Sequence, residues 1–215
     1  MPSPHPALFA PRLALVRRVR LADLDDAGLA RAAAEGHAGA PAVVWDRYAG
    51  LVRRVLCRIL GPGADVDDQV QEAFLQLFRE VKQLRDPGAL RAFLLGITVR
   101  VARSALRRRR LRRWLRLSDG GELPELAAAE VDADAREALR RLYALLDRLD
   151  DKARLLFVLR YVEGLELTQA AEAMGVSLAT AKRHLERVRA RVHALASRDP
   201  LLARYLAAGE EARDG

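Results

Sequence analysis

Side chains able to do covalent or metal chemistry are few and far apart in this chain. His5, His37, His184 and His193 are scattered, and none stands with carboxylates at a metal-ligand spacing. Asp65, Asp67, Asp68 and Glu72 have oxygens that suit magnesium. An acidic first turn of a helix accounts for them more simply, because the helix dipole favours carboxylates there. The single cysteine, Cys57, lies on a largely apolar stretch and reads as core. One cysteine permits no internal disulfide and no cysteine-based zinc site, which fits a reducing compartment. Cations, by contrast, are abundant: 37 Lys and Arg against 29 Asp and Glu, a formal net charge of +8. The chemistry on offer is therefore recognition of a polyanion. Nucleic acid is favoured over membrane, since no stretch is long and apolar enough to span a bilayer. Neither an enzyme, a cofactor nor a small-molecule substrate is expected.

The cations concentrate in two places. One is the run from Leu165 to Leu195. Thr168 can cap a first helix bearing Ala170, Ala171 and Met174, small enough for another helix to cross closely. Gly175 sits where the chain must turn, and Ser177 is the natural cap of a second helix. Leu178, Ala181, Leu185, Val188, Val192 and Leu195 share one face of that helix. Off that face lie Thr180, Lys182, Arg183, Arg187, Arg189 and Arg191, against one acid, Glu186. This is the helix-turn-helix pattern, whose second helix enters the major groove. The other place is Arg107 to Arg110 with Arg112, Arg113 and Arg116, like charges that repel unless a polyanion lies nearby.

Helices must position these cations, and the sequence reads as helical throughout. Aromatics are only 5% of the residues, so the cores must be Leu, Val and Ala. Residues 1–22 carry four prolines and then arginines, and read as a disordered basic arm. The N-terminus does not look like a signal peptide, because Pro11 and Arg12 break its apolar run and its charge follows that run. Asp25 or Asp26 caps a short helix to about Glu35, and Gly36 to Pro41 breaks it. A helix from Val43 to Leu60 buries Val44, Tyr48, Leu51, Val52, Val55, Leu56 and Ile59, and Gly61-Pro62-Gly63 ends it. Asp65 starts the next, with Asp68 completing a variant capping box. Val66, Val70, Phe74, Leu77, Phe78 and Val81 form its buried stripe. Leu75 stands on its polar face among Asp68, Gln71, Glu72 and Gln76, where an exposed leucine suggests a protein-docking surface. After the turn Asp86-Pro87-Gly88, a long helix from Ala89 runs into the arginines, with Phe93, Leu94, Ile97, Val101 and Ala105 inward. Residues 118–134 are acidic and contain Gly120, Gly121 and Pro124, as expected of a flexible linker. Beyond it, Leu139, Leu142, Leu145, Leu146 and Leu149 stripe one helix. Asp150 or Asp151 caps the next, with Leu155, Leu156, Leu159 and Val162 inward and Gly164 at its end. The fold expected is all-α: two small helical domains, residues 23–117 and 135–197, joined by the linker and followed by a tail, residues 198–215.

Three blocks in this order resemble a family: YAGLVRRVLCRILGPGADVDDQVQEAFLQLFREV (Tyr48 to Val81), LRAFLLGITVRVARSALRRRR (Leu90 to Arg110) and LLFVLRYVEGLELTQAAEAMGVSLATAKRHLERVRARV (Leu155 to Val192). Together they are similar to bacterial RNA polymerase sigma factors of the extracytoplasmic-function group. The resemblance implies that the Asp65 helix, through Asp68, Gln71, Glu72, Leu75 and Gln76, docks on the clamp helices of the core polymerase large subunit. It implies that the loop Gln83 to Gly88 captures a flipped base of the promoter minus-ten element. Arg85, Phe93, Arg100, Arg103, Arg107 and Arg108 would hold the opened strand and its backbone. Ser177, Thr180, Lys182, Arg183 and Arg187 would read or hold the minus-thirty-five element. The polymerase flap is a further expected contact of the family, and an anti-sigma factor a common partner. Departures from the pattern are Phe93 where the family often has Trp, Gly96 for Arg, Arg100 for Asn and Ser104 for Asp. Ala179, Ala181 and Arg183 stand where Gly, Val and Ser are common.

The resemblance therefore implies a cytoplasmic initiation factor that opens promoters without metal or covalent chemistry. The competing readings are a sigma mimic that occupies an anti-sigma factor without using DNA, and an ordinary helix-turn-helix regulator. The first would lose the basic faces, which are intense here. The second would need a ligand pocket or dimer face that the first domain does not offer.

Overall fold

The computed structural model describes residues 20–61, 66–115 and 133–204. Most of the basic arm (residues 1–19), the Asp65 cap, the side chains of Arg112 and Arg113, Arg116, most of the linker and residues 205–215 lie outside them. Among the described residues all regular structure is helical.

A short turn, Leu21–Asp23, leads into α1, Asp26–Ala34, whose cap is Asp25, accepting from Gly28 N at 2.7 Å. Next comes α2, Ala40–Leu60, which begins three residues earlier than its apolar pattern suggests. Pro41, which reads as a breaker, instead lies in the first turn, where its fixed φ suits a helix start. The face Val44, Tyr48, Val52, Val55, Leu56 and Ile59 is buried as expected. Cys57 is not part of the core: it is exposed, falling with Arg53 and Arg54 on the solvent side of α2. Helix α3, Val66–Glu80, buries Val70, Ala73, Phe74 and Leu77, and keeps Leu75 outward. Two short turns then lead to α4, Leu90–Leu115. Its core side includes Leu90, Leu94, Ile97 and Ala102, each at most 1% exposed. Full burial of such a leucine or isoleucine contributes about 1.5–3 kcal/mol. The one fully buried polar side chain beside them, Thr98, is satisfied by donating to Leu94 O at 2.8 Å.

The C-terminal half comprises α5, Ala133–Leu146; α6, Asp151–Phe157; α7, Leu167–Met174; and α8, Leu178–Ala196. Asp150 is the cap of α6, accepting from Ala153 N at 2.9 Å. Val158–Val162 continues α6 as a π-helical stretch, in which Glu163 N reaches back to Val158 O at 2.9 Å. The widened turn rotates Val162 outward. Expected inside, it is 38% exposed. Thr168 is not the cap of α7, whose cap is Glu166, with its backbone N–H donating to Gln169 Oε1 at 3.1 Å. Residues 200–204 are helical, and Leu202 is buried. Asp199 starts that turn, accepting from Leu201 N at 3.0 Å and from Arg141 at 3.1 Å.

One hydrophobic cluster runs through both halves. Helices α6 and α7 pack on α4, and the π-helical stretch packs on α2. Where the halves meet, Arg154 is the only buried charged side chain among the described residues. Its Nε donates to Ile59 O at 2.6 Å, an Nη to Leu60 O at 3.1 Å, and the other Nη to the carboxylate of Asp147. Arg109 adds a second donor to Leu60 O at 2.7 Å. The last carbonyls of a helix have no partners within it and carry the negative end of its dipole. Two guanidiniums satisfy the last two of α2. Gly61 leaves the helix at φ 80°, with the Tyr143 ring where a Cβ would sit, 2.9 Å away.

Candidate nucleic-acid interface

Three faces carry the residues singled out from the sequence. On α3, Asp68, Gln71, Glu72, Leu75 and Gln76 form one strip at spacings of three and four, and Leu75 is 51% exposed. Gln76 donates to Glu72 Oε1 at 2.7 Å, which orders two of the five. Trp45, which the sequence reading passed over, adds to the apolar surface of this region. It is 37% exposed on α2, with its ring 4.6 Å from that of Phe74.

Helix α4 and the loop before it carry the second set. Arg85, Arg100, Arg107 and Arg108 are exposed, and Phe93 and Arg103 are half-buried. Phe93 packs against the edge of the core, and with Arg100 and Arg103 it lies on the side of α4 turned toward α7. Arg100 pairs with Glu80 at the end of α3. Arg108 donates to Gln69 Oε1 at 3.0 Å and to Ser104 Oγ at 3.1 Å. The arginine run thus divides. Arg107 and Arg108 face solvent, whereas Arg109 holds Leu60 O, and Arg110 holds Leu149 O at 3.1 Å and Asp151 at 3.0 Å. Of the four consecutive arginines Arg107 to Arg110, two are thus satisfied by the protein's own carbonyls and a carboxylate.

The third face is built by the α7-turn-α8 unit. Gly175 takes φ 64°, a left-handed conformation that ends α7 while Val176 N donates to Ala171 O at 3.0 Å. Ser177 is the cap of α8: its Oγ accepts from Thr180 N at 3.2 Å and lies 2.9 Å from Thr180 Oγ1. The cap fixes the helix start, and Lys182, Arg183 and Arg187 stand exposed along its outer side. Arg187 Nε donates to Arg183 O at 3.3 Å, leaving its terminal nitrogens outward. Arg191 is different, because its guanidinium reaches back to Arg148 O at 3.2 Å.

An exposed leucine-centred strip and two cationic faces, all on helices, are surfaces of the kind a nucleic-acid-binding protein presents. Comparison with known proteins agrees. The sigma-70 region 2 profile matches residues 44–112, and the sigma-70 region 4 profile matches residues 139–192. The RNA polymerase sigma factor CnrH of Cupriavidus metallidurans is 30% identical over 146 residues, 64% of this chain and 76% of that protein. The ferric citrate uptake sigma factor FecI of Escherichia coli K12 is 30% identical over 148 residues, 66% of this chain and 82% of that protein. The solved structure of CnrH in complex with the cytosolic domain of CnrY aligns with a TM-score of 0.59 at 25% identity, covering 81% of this chain and 98% of that one. The chain belongs to the bacterial RNA polymerase sigma factors of the extracytoplasmic-function group.

Proposed function

We propose that this chain is a cytoplasmic initiation factor, not an enzyme, that binds core RNA polymerase and directs it to promoters. In this reading residues 23–117 dock on the polymerase and open the minus-ten element, and residues 135–197 read the minus-thirty-five element. The strip Asp68 to Gln76 on α3 meets the clamp helices of the large subunit, and the C-terminal half lies against the flap. Lys182, Arg183 and Arg187 contact duplex bases or phosphates, with Ser177 and Thr180 holding the helix start against the backbone. Phe93 stacks on an unpaired base while Arg85, Arg100, Arg103, Arg107 and Arg108 neutralise the strand. By analogy with CnrH, solved with the cytosolic domain of CnrY, a regulatory protein that sequesters the chain is a further expected partner.

The observation that carries the proposal is the coexistence of the solvent-facing Leu75 strip with exposed cationic faces on α4 and α8. A mimic without DNA function has no use for the two cationic faces, and a simple regulator has none for the strip. Size-exclusion chromatography of the purified chain with core polymerase tests it. The two proteins co-elute, and the complex retains a promoter fragment that neither holds alone at the same salt. Separate elution would contradict the reading.

A further inference from the structure

The outward side of α8 is cationic or small except at one residue. Ala179, Arg183, Glu186 and Ala190 recur at spacings of three and four and are all exposed, opposite the buried Ala181, Val188 and Val192. Lys182 and Arg187 flank them, also exposed. Glu186 is the single acid of the helix.

The fold makes no use of this acid. Among the described residues its side chain has no hydrogen bond or ion pair, although Lys182 stands four residues before it and Arg189 three after. A lysine four residues before a glutamate is the weaker order of that pair on a helix. Glu186 also lies well beyond the first turn, the one place where the helix dipole favours an acid.

On a DNA-facing surface an unpaired carboxylate is repelled by phosphates. It is accommodated only over a donor, and the major groove offers two, cytosine N4 and adenine N6. Adenine N7, an acceptor beside N6, repels the second carboxylate oxygen, whereas cytosine has no acceptor beside N4 on its own base. The position suits such a contact. Ser177 fixes the start of α8, and from Leu178 to Glu186 the helix rises about 12 Å, comparable with the width of the major groove.

We propose that Glu186 is a sequence-reading residue of α8, whose carboxylate accepts from N4 of one cytosine in the major groove. This rests on the proposed function, since it needs the outer side of α8 to face duplex, and it adds one base pair of the sequence read there. Lys182, Arg183 and Arg187 supply attraction to any duplex. Glu186 subtracts affinity from every sequence that does not place a cytosine beneath it.

The test is selection from a random duplex library by the full chain bound to core polymerase, with wild type, Glu186→Ala and Glu186→Gln in parallel. Alanine and glutamine are both good helix formers, and the site is exposed, so Tm should not change. Wild type enriches a motif with cytosine fixed at one position. Glu186→Ala keeps the rest of the motif and loses the preference at that position alone. Glu186→Gln moves it to adenine, because an amide pairs with adenine N6 and N7 together. In anisotropy titrations of the selected duplex, replacing that C·G pair by T·A costs wild type about tenfold in affinity and Glu186→Ala less than about twofold. The same motif in all three proteins, or a preference lost at every position at once, would overturn the role of Glu186 and leave the proposed function standing. If wild type enriches no motif, the proposed function fails and this reading fails with it.

Discussion

Removing Lys182 and Arg183 together should change how salt controls DNA binding. Both side chains are exposed, on the side of α8 away from its buried residues Ala181, Val188 and Val192. If each neutralises one phosphate, each releases its counterion on binding, and the slope of log affinity against log salt steepens by about 0.9 per contact. Lys182→Ala with Arg183→Ala should therefore flatten the slope by about 1.8, so a fourfold rise in salt costs the wild type about twelvefold more affinity than the variant. Arg191→Ala is the contrast. Its guanidinium is already engaged with Arg148 O, so its loss should leave the slope unchanged. Fluorescence anisotropy titrations of a duplex over several salt concentrations give all three slopes. Equal slopes in the double variant and the wild type, or a comparable change in Arg191→Ala, would refute the assignment of α8's outer side as the phosphate-facing surface.

Other perturbations have definite outcomes. Leu75→Ala with Gln76→Ala should weaken binding to core polymerase about tenfold or more with little change in Tm, because the side chain of Leu75 is half exposed in the free chain; an equal loss of Tm would assign the leucine to the core instead. Ser177→Ala should cost about 1 kcal/mol in urea unfolding, the usual value of a lost helix cap. Gly61→Ala combines a positive φ with a 2.9 Å approach to the Tyr143 ring, and should cost about 1–3 kcal/mol through backbone strain alone. Burial pushes the Asp199 carboxyl upward, but the Leu202 amide, the Arg141 side chain and the Leu201 amide outweigh it and hold the carboxyl below the usual range. A depressed carboxyl stabilises the fold fully above its unfolded value of about 3.9, and the contribution fades as pH falls through the lower folded value. The stability difference between wild type and Asp199→Asn, followed by thermal unfolding, should therefore be present at neutral pH and vanish in strong acid.

Much of the fold was legible because the apolar positions follow one period. Most of the stripe Val44 to Ile59 and of the residues inward on α3 is buried as the spacing predicts, with Leu51, Val66 and Phe78 half-buried, and Gly175 and Ser177 punctuate the helix-turn-helix where chain geometry demands. Local chemistry misled where two reasonings compete. Pro41 breaks a helix in its interior but starts one in its first turn. Cys57 is apolar in character, yet its angular position places it with Arg53 and Arg54. Val162 keeps the apolar period of α6, but a π-helical turn shifts the register, and no composition cue marks that turn. Contacts between the halves were the least legible part. Arg154, Arg109 and Arg110 look like any other arginine in an arginine-rich chain. Only the carbonyls of Ile59, Leu60 and Leu149 and the acids Asp147 and Asp151 distinguish them from the outward Arg107.

Run-off transcription tests the central claim most directly. Core polymerase from the same source is supplied with this chain on a template carrying the chain's own upstream region. Transcript should appear only when the chain is added, and should fade in Leu75→Ala with Gln76→Ala and in Lys182→Ala with Arg183→Ala. Core polymerase that neither binds the chain nor initiates in its presence would contradict the account and leave a plain helix-turn-helix regulator in its place.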